Sequence, residues 1–308
     1  MPVESAHPLP PREHEERFQR LVELGITHAL AQIRHKFENP QDVKKRLPHH
    51  DVSHTKNVIH GTELLLRTIR QADPTLVSER EELLGKFAAA YHDIVQDWET
   101  DTYEEDGFMI IKREMLTGRN ESESIQKATS YMDTVNRNEK IFTDPDKRIV
   151  SEAIETTEPQ YDNQYKTFVQ PNLKSSSSLV SRAVALADLG TAGLYEPPAI
   201  LSAADSLFRE INLDILDTIS DWGKKSYREK DFFKSRALSW MSLEVDFIKG
   251  RDNLLEHELE GIPQQARDSV RSLFCYFDAS QACVSKISKD RAKMSPKEVL
   301  VSMGYVFR

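Results

Sequence analysis

The sequence predicts an all-α protein, and three observations predict it. Apolar residues recur at helical steps along most of the 308 residues. Residues that start helices, such as Asp51, Ser78, Asn120 and Pro145, stand just ahead of those runs. Period-two runs of β-branched and aromatic residues, the mark of strands, are almost absent. No internal repeat interrupts the pattern.

Residues 1–14 are expected to be a disordered tail, with four prolines in the first thirteen positions and no apolar periodicity. From His14 onward, Phe18, Leu21, Val22, Ile26, Leu30, Ile33 and Phe37 mark a first helix that ends near Asn39-Pro40. Asp51 or Ser53 caps the next helix, which continues through Val58, Leu65 and Ile69 to Pro74. Ser78 caps a third through Leu84, Phe87, Tyr91 and Val95. Residues 99–107 read as an acidic turn, and FMIIKREML at 108–116 as a short helix or strand. Helices follow from Asn120 and from Asp144-Pro145, the latter ending near Thr157. The polar stretch 161–178 reads as a loop long enough to act as a flap. Beyond it, 179–194 is a strongly apolar helix, and Pro197-Pro198 open another. Helices over 225–260, 264–289 and a short piece after Pro296 complete the chain. Gly190 and Gly193, in the DLGTAG turn, are available for positive φ.

Composition narrows the function. A net charge of −9 argues against a chain built to hold an extended nucleic acid. No run approaches the length of a membrane span. Cys275 and Cys283, eight apart on one expected helix, make neither a disulfide framework nor a zinc knuckle. These features predict a soluble protein of the cytoplasm. The charged helix RALSWMSLEVDFIKGRDNLLEHELEGI offers Leu243, Phe247, Ile248, Leu254 and Leu255 as an apolar face, for intramolecular packing first and for a homo-oligomer second.

Chemistry concentrates around His92-Asp93, behind the small-residue run Phe87-Ala88-Ala89-Ala90 that lets neighbouring helices approach closely. A chain of this composition contains roughly 0.7 such doublets by chance, so its meaning comes from its partners. Upstream, His54 stands in the first turn of its helix. Downstream, Asp188 lies inside AVALADLG, where a buried carboxylate calls for a compensating cation; near a helix end it equally suits partial exposure.

In order and context, His54, His92-Asp93 and Asp188 resemble the H…HD…D set of the HD superfamily of metal-dependent phosphohydrolases. The resemblance covers roughly residues 15–220 and leaves 221–308 as a helical extension packed on that domain. It implies an HD-domain helical bundle that binds a divalent ion through His54, His92, Asp93 and Asp188. Mixed imidazole and carboxylate donors suit Mn, Fe, Co, Mg or Zn. The activity implied is hydrolysis of a phosphate ester or anhydride in a small phosphorylated substrate, a nucleotide being the expected class. Asp93 and Asp97 are the expected catalytic acids, with Asp97 one helical turn beyond Asp93. Gln96 stands where related nucleotidases and guanosine tetraphosphate hydrolases carry a Glu, which weighs against those two activities. It also leaves open a non-catalytic nucleotide-sensing or interaction module of the same fold. Arg46, Lys56 and Arg182 are candidates to neutralise a substrate phosphate. Glu121 reads either as a second-metal ligand or as an acid at a helix N-terminus, and Glu123 more simply as the latter. His49 and His50, just ahead of the helix, read first as an exposed polar loop and second as lining the pocket, and His60 is expected off the ligand face of its helix, on the surface or in the core.

Overall fold

The computed structural model describes residues 11–307. Helix accounts for 69% and strand for 8%, so the protein is mainly α. Residues 1–10 of the expected tail, like Arg308, lie outside the described residues. Residues 11–14 already belong to α1 (Pro11–Ile33), which corrects the tail boundary: proline is well tolerated in a first helical turn. One π-helical turn, Arg34–Glu38, follows and buries Phe37.

Five further helices make the framework around the doublet. They are α2 (Val52–Ala72), α3 (Glu79–Tyr91), α4 (Arg119–Glu139), α5 (Asp144–Glu155) and α6 (Leu179–Leu189). Each start has a local cause. The side chains of Asp51, Ser78, Thr143 and Ser178 accept the free N–H groups of α2, α3, α5 and α6 respectively. α3 packs against α2, α5 and α6, and α6 packs in turn against α2 and α5. A Cβ at Gly61 of α2 would lie 3.0 Å from that of Ala187 on α6. The run Phe87–Tyr91 is entirely buried.

Two hairpins correct the strictly helical expectation. β1 (Trp98–Glu105) pairs antiparallel with β2 (Phe108–Met115), and Asp106-Gly107 close them at φ 53° and 80°. Positive φ at both central residues makes the twist of the turn match that of the strands. The acidic segment 99–107 is therefore strand plus turn. Within the expected loop 161–178, β3 (Gln160–Asp162) pairs with β4 (Thr167–Val169).

The remaining helices are α7 (Thr191–Leu194), α8 (Pro197–Ile211), α9 (Leu213–Ser220), α10 (Tyr227–Leu259), α11 (Gln264–Leu273), α12 (Phe277–Ala292) and α13 (Pro296–Ser302). The expected helix 264–289 is broken at 274–276, where the Tyr276 N–H turns aside to the Gly193 carbonyl at 3.1 Å. Cys275 consequently lies exposed in the break and Cys283 on α12, both free thiols. Gly190 and Gly193 do not use positive φ. Gly193 serves close packing, since a Cβ there would sit 2.6 Å from the Phe277 ring. On α10, Ile248, Leu254 and Leu255 are buried and Phe247 packs against the core, whereas Leu243 is exposed.

The main core runs from Phe18 to Val284, and α10, α11 and α12 contribute Met241, Ile248, Leu255, Val270 and Val284 to it. A smaller core joins Ile110 of β2 and Phe208 of α8 to Phe232, Phe233, Val299 and Leu300. Among the described residues, no helix is long and apolar enough to cross a membrane.

Candidate metal centre

His54, His92, Asp93 and Asp188 converge. His54 occupies the first turn of α2 because Asp51 caps that turn, its carboxylate accepting the His54 N–H at 2.8 Å. His92 is the residue that ends α3, and Asp93 follows it into the turn. Asp188 sits one residue before the end of α6. The Nε2 atom of His54 lies 3.2 Å from Asp93 Oδ2 and 3.4 Å from Asp188 Oδ1. His92 Nε2 is 2.9 and 3.4 Å from the same two oxygens.

His54, His92 and Asp188 each offer an atom within 4.8 Å of the others, close enough to share an ion; Asp93 is not in that group, although its Oδ2 lies 3.2 and 2.9 Å from the two imidazole nitrogens. Donors ~2.1 Å from a common centre stand ~3.0 Å apart at right angles and ~3.4 Å apart in a tetrahedron. The His92 tautomer agrees. Its Nδ1 is 2.8 Å from the Ala89 carbonyl, which can only accept, so Nδ1 carries the proton. Nε2 is buried and left to face the two carboxylates, with no hydrogen bond of good geometry, where it can take a proton or a cation. A buried donor atom aimed between two carboxylates fits a divalent cation.

Each carboxylate gives one oxygen to this point and has the other held by a glutamine. The Gln96 amide donates to Asp93 Oδ1 at 2.7 Å, and the Gln170 amide donates to Asp188 Oδ2 at 3.3 Å. Asn120 steadies Gln96 in turn: it donates to the Gln96 side-chain carbonyl at 3.4 Å, and it accepts the Asp97 N–H at 2.9 Å and donates to the Asp97 carbonyl at 3.0 Å. Side-chain exposure is 1% for His92 but 11–13% for His54, Asp93 and Asp188. The point is therefore sealed behind His92 and reachable from the other side.

The local field favours positive charge. Burial works against the imidazolium of both ligand histidines, and the two carboxylates outweigh it, raising His54 to about 9 and His92 well above its ordinary value. Burial likewise opposes ionisation of the acids, yet the imidazoles hold Asp188 at about 2 and Asp93 well below the usual carboxylate range.

Beside the cluster lies a carboxylate, Glu210, that the sequence reading missed. His49 and His50 are half-buried, not exposed, and their rings lie 4.9 and 6.0 Å from that of His54. Glu210 of α8, 1% exposed, anchors them: its Oε2 accepts the His49 N–H at 2.8 Å and the His50 N–H at 3.2 Å. Its Oε1 meets His50 Nδ1 at 2.5 Å. Burial opposes the Glu210 charge, but the His50 charge and hydrogen bond hold it at about 2. His49, pushed down to about 3 by burial and by the neighbouring imidazoles, is neutral. In sequence Arg209-Glu210 looks like an ordinary surface pair, and no local pattern marks either Glu210 or Gln170.

Other expected site residues lie elsewhere. Asp97 is not one helical turn beyond Asp93, because α3 has already ended at Tyr91; it is exposed and faces Arg119 at 3.9 Å. Arg182 is buried with its guanidinium on the carbonyls of Glu258 and Lys174, at 2.5 and 2.6 Å. Arg46 is exposed and donates to the Pro40 carbonyl at 2.8 Å. Lys56 is exposed on α2, two residues from His54 and so on another face. His60 is exposed on α2. Glu121 is buried and raised, by burial first and by the Asp93 charge among lesser causes, but its Oε2 accepts the Gly118 N–H at 2.5 Å. That bond makes it the acid that caps α4. Glu123 pairs with Arg119 on the same helix.

No protein-family model, curated protein or solved structure matches the chain.

Proposed function

We propose that this chain is a metal-dependent phosphohydrolase of the HD type, cleaving a phosphate ester or anhydride of a small phosphorylated metabolite, with nucleotides the first class to test. One observation carries the proposal. Two imidazole nitrogens and an Asp188 oxygen, from three separate helical segments, come close enough to share an ion, Asp93 Oδ2 lies within 3.2 Å of both nitrogens, and the His92 nitrogen is buried with no hydrogen-bond partner. Imidazole and carboxylate donors together suit Mn, Fe, Co, Mg or Zn. A bound divalent cation supplies Lewis acidity toward phosphoryl oxygen and makes a water more acidic.

The chain's own residues do the rest. His54, His92, Asp93 and Asp188 would hold the ion. Ala89, through its carbonyl, keeps His92 in the ligating tautomer. Gln96 and Gln170 aim one oxygen of each carboxylate inward, as outer-shell partners of metal ligands do. Gln96 cannot exchange a proton, so its place beside Asp93 is one of orientation.

A second reading keeps the fold and the ion without turnover. It is favoured by Gln96 on Asp93 and by the exposure of Asp97 beside Arg119, which together leave that segment without an acid at the site other than Asp93. Elemental analysis of the purified chain, with phosphate release measured from nucleoside mono-, di- and triphosphates, separates the two. The hydrolase predicts stoichiometric metal and release, and His92→Ala loses both. Metal without release supports the second reading. A chain without metal contradicts both.

A further inference from the structure

Asp205, Glu244 and Arg291 are buried near one another where α8, α10 and α12 meet. Two are acids and one is a base, so one negative charge lacks a counterpart. Arg291 cannot serve both. A guanidinium has five N–H donors, and those of Arg291 meet five acceptors: Oδ1 and Oδ2 of Asp205 at 2.6 Å each, Met241 Sδ at 3.1 Å, Ser302 Oγ at 3.0 Å and the Ser302 carbonyl at 3.1 Å. Glu244 is 7% exposed and has no side-chain hydrogen bond or ion pair among the described residues. One turn away on α10 stand Trp240, Met241, Phe247 and Ile248, none of them charged. Asp205 is the charge that faces it from α8, and Arg291 is the buried charge of α12. On α13 Lys297 and Glu298 are exposed, α7 and β4 carry no charge, and Arg182 of α6 is engaged further along, on the Glu258 carbonyl. An ionised carboxylate in such a place is stabilised neither by bulk water nor by a partner, which favours the neutral acid. Burial first, and the Asp205 charge second, push Glu244 up to about 8.

We propose that Glu244 is carried in the folded protein as the neutral acid, and that its ionisation loosens the junction of α8, α10 and α12, which makes the junction a proton-controlled latch. The latch needs neither metal nor substrate. α8 runs on from Asp205 to Glu210, whose carboxylate holds the His49 and His50 N–H groups, so the latched helix is one that reaches the cluster. An unfolded Glu ionises near 4.5, while the folded one keeps its proton to about 8. Stability therefore falls as pH rises between those two values and is level above them.

Thermal unfolding of the full chain and of Glu244→Gln, in the same metal state, tests this. Other titrating groups are shared and cancel in the difference. The Tm of the variant is expected to rise relative to wild type by about 5 °C or more between about pH 5 and pH 8. Glu244→Leu gives the same slope about a different offset if the amide packs badly. A difference that stays constant with pH overturns the neutral acid. Should neither variant fold, the infrared spectrum of wild type decides: a neutral-carboxyl band is expected at about pH 7 and lost by about pH 9, and its absence at the lower pH overturns the neutral acid equally. Hydrogen exchange locates the loosening. After correction for the intrinsic rate, amides of α8, α10 and α12 are expected to open more in wild type over the same pH range, and not in Glu244→Gln. An equal change in all helices overturns the latch.

Discussion

His54 and His92 would bind a cation through the same Nε2 atoms that take protons, and the two would compete. With the His54 imidazole at about 9 and His92 higher still, metal has to displace protons below that pH. Apparent affinity for Co²⁺ or Zn²⁺ should therefore rise with pH between 6 and 9; a competition titration that shows a flat profile would contradict the assignment. The same shift sets the stability of the metal-stripped protein. A folded value above the unfolded one means that the imidazolium–carboxylate contribution is complete below about pH 6.5 and is lost as pH rises through about 9. Thermal unfolding of stripped protein should accordingly show Tm falling over that window, with metal-loaded protein spared. Orientation is a separate matter. Gln96→Ala frees Asp93 Oδ1 from its 2.7 Å bond and is expected to weaken metal binding about 10-fold to 100-fold without unfolding the chain. Calorimetric titration would show it.

At the scale of elements, the β3–β4 hairpin links the cluster to the C-terminal helices. Gln170, just past β4, reaches Asp188, while Thr167 and the Phe168 carbonyl hydrogen-bond to α10 at the Phe247 carbonyl and at Arg251. Gly250 makes room for that contact. A Cβ there would fall 2.6 Å from Thr167 Cβ and against the Tyr165 carbonyl. An exposed mid-helix Gly→Ala change normally stabilises by about 1 kcal/mol. Gly250→Ala should instead cost about 1–3 kcal/mol through overpacking, and chemical denaturation reads the sign directly. The β1–β2 hairpin shows why its strands escape a periodicity search. The buried positions of β2 are Ile110 and Arg113, three apart, and the Arg113 guanidinium is buried on the carbonyls of Lys44 and Arg46 and over the Trp98 ring. Three apart, the two buried residues lie on opposite faces of the strand, and one of them is charged, so no alternation of apolar residues marks it.

For the whole molecule, residues on both sides of position 220 supply both cores. Arg291 of α12 makes two 2.6 Å bonds to Asp205 of α8, and both side chains are buried. Removing one partner of such a pair strands a buried charge, so Arg291→Ala should destabilise the protein by about 3–5 kcal/mol. A chain truncated after residue 220 would lose the packing from α10 and α12 and should remain unfolded by circular dichroism; a cooperative melt from that fragment would contradict the shared-core account. The main core holds the site by joining α2, α3 and α6, which each deliver a ligand at or near a helix end.

The sequence by itself determined the helices that start at a capping side chain, since a cap and the apolar steps behind it act over a few neighbouring residues. His54, His92, Asp93 and Asp188 were legible for a related reason: a His-Asp doublet on a small-residue helix and an acid in an apolar one stand out locally. Tertiary structure decided everything that depends on where a helix stops or what crosses it. The end of α3 at Tyr91 removes Asp97 from the site, the Glu258 and Lys174 carbonyls occupy Arg182, and Glu210 becomes a partner of His50 only when α8 folds back beside α2. Burial of a charge is compensated by groups distant in the chain, and no window of sequence contains both partners.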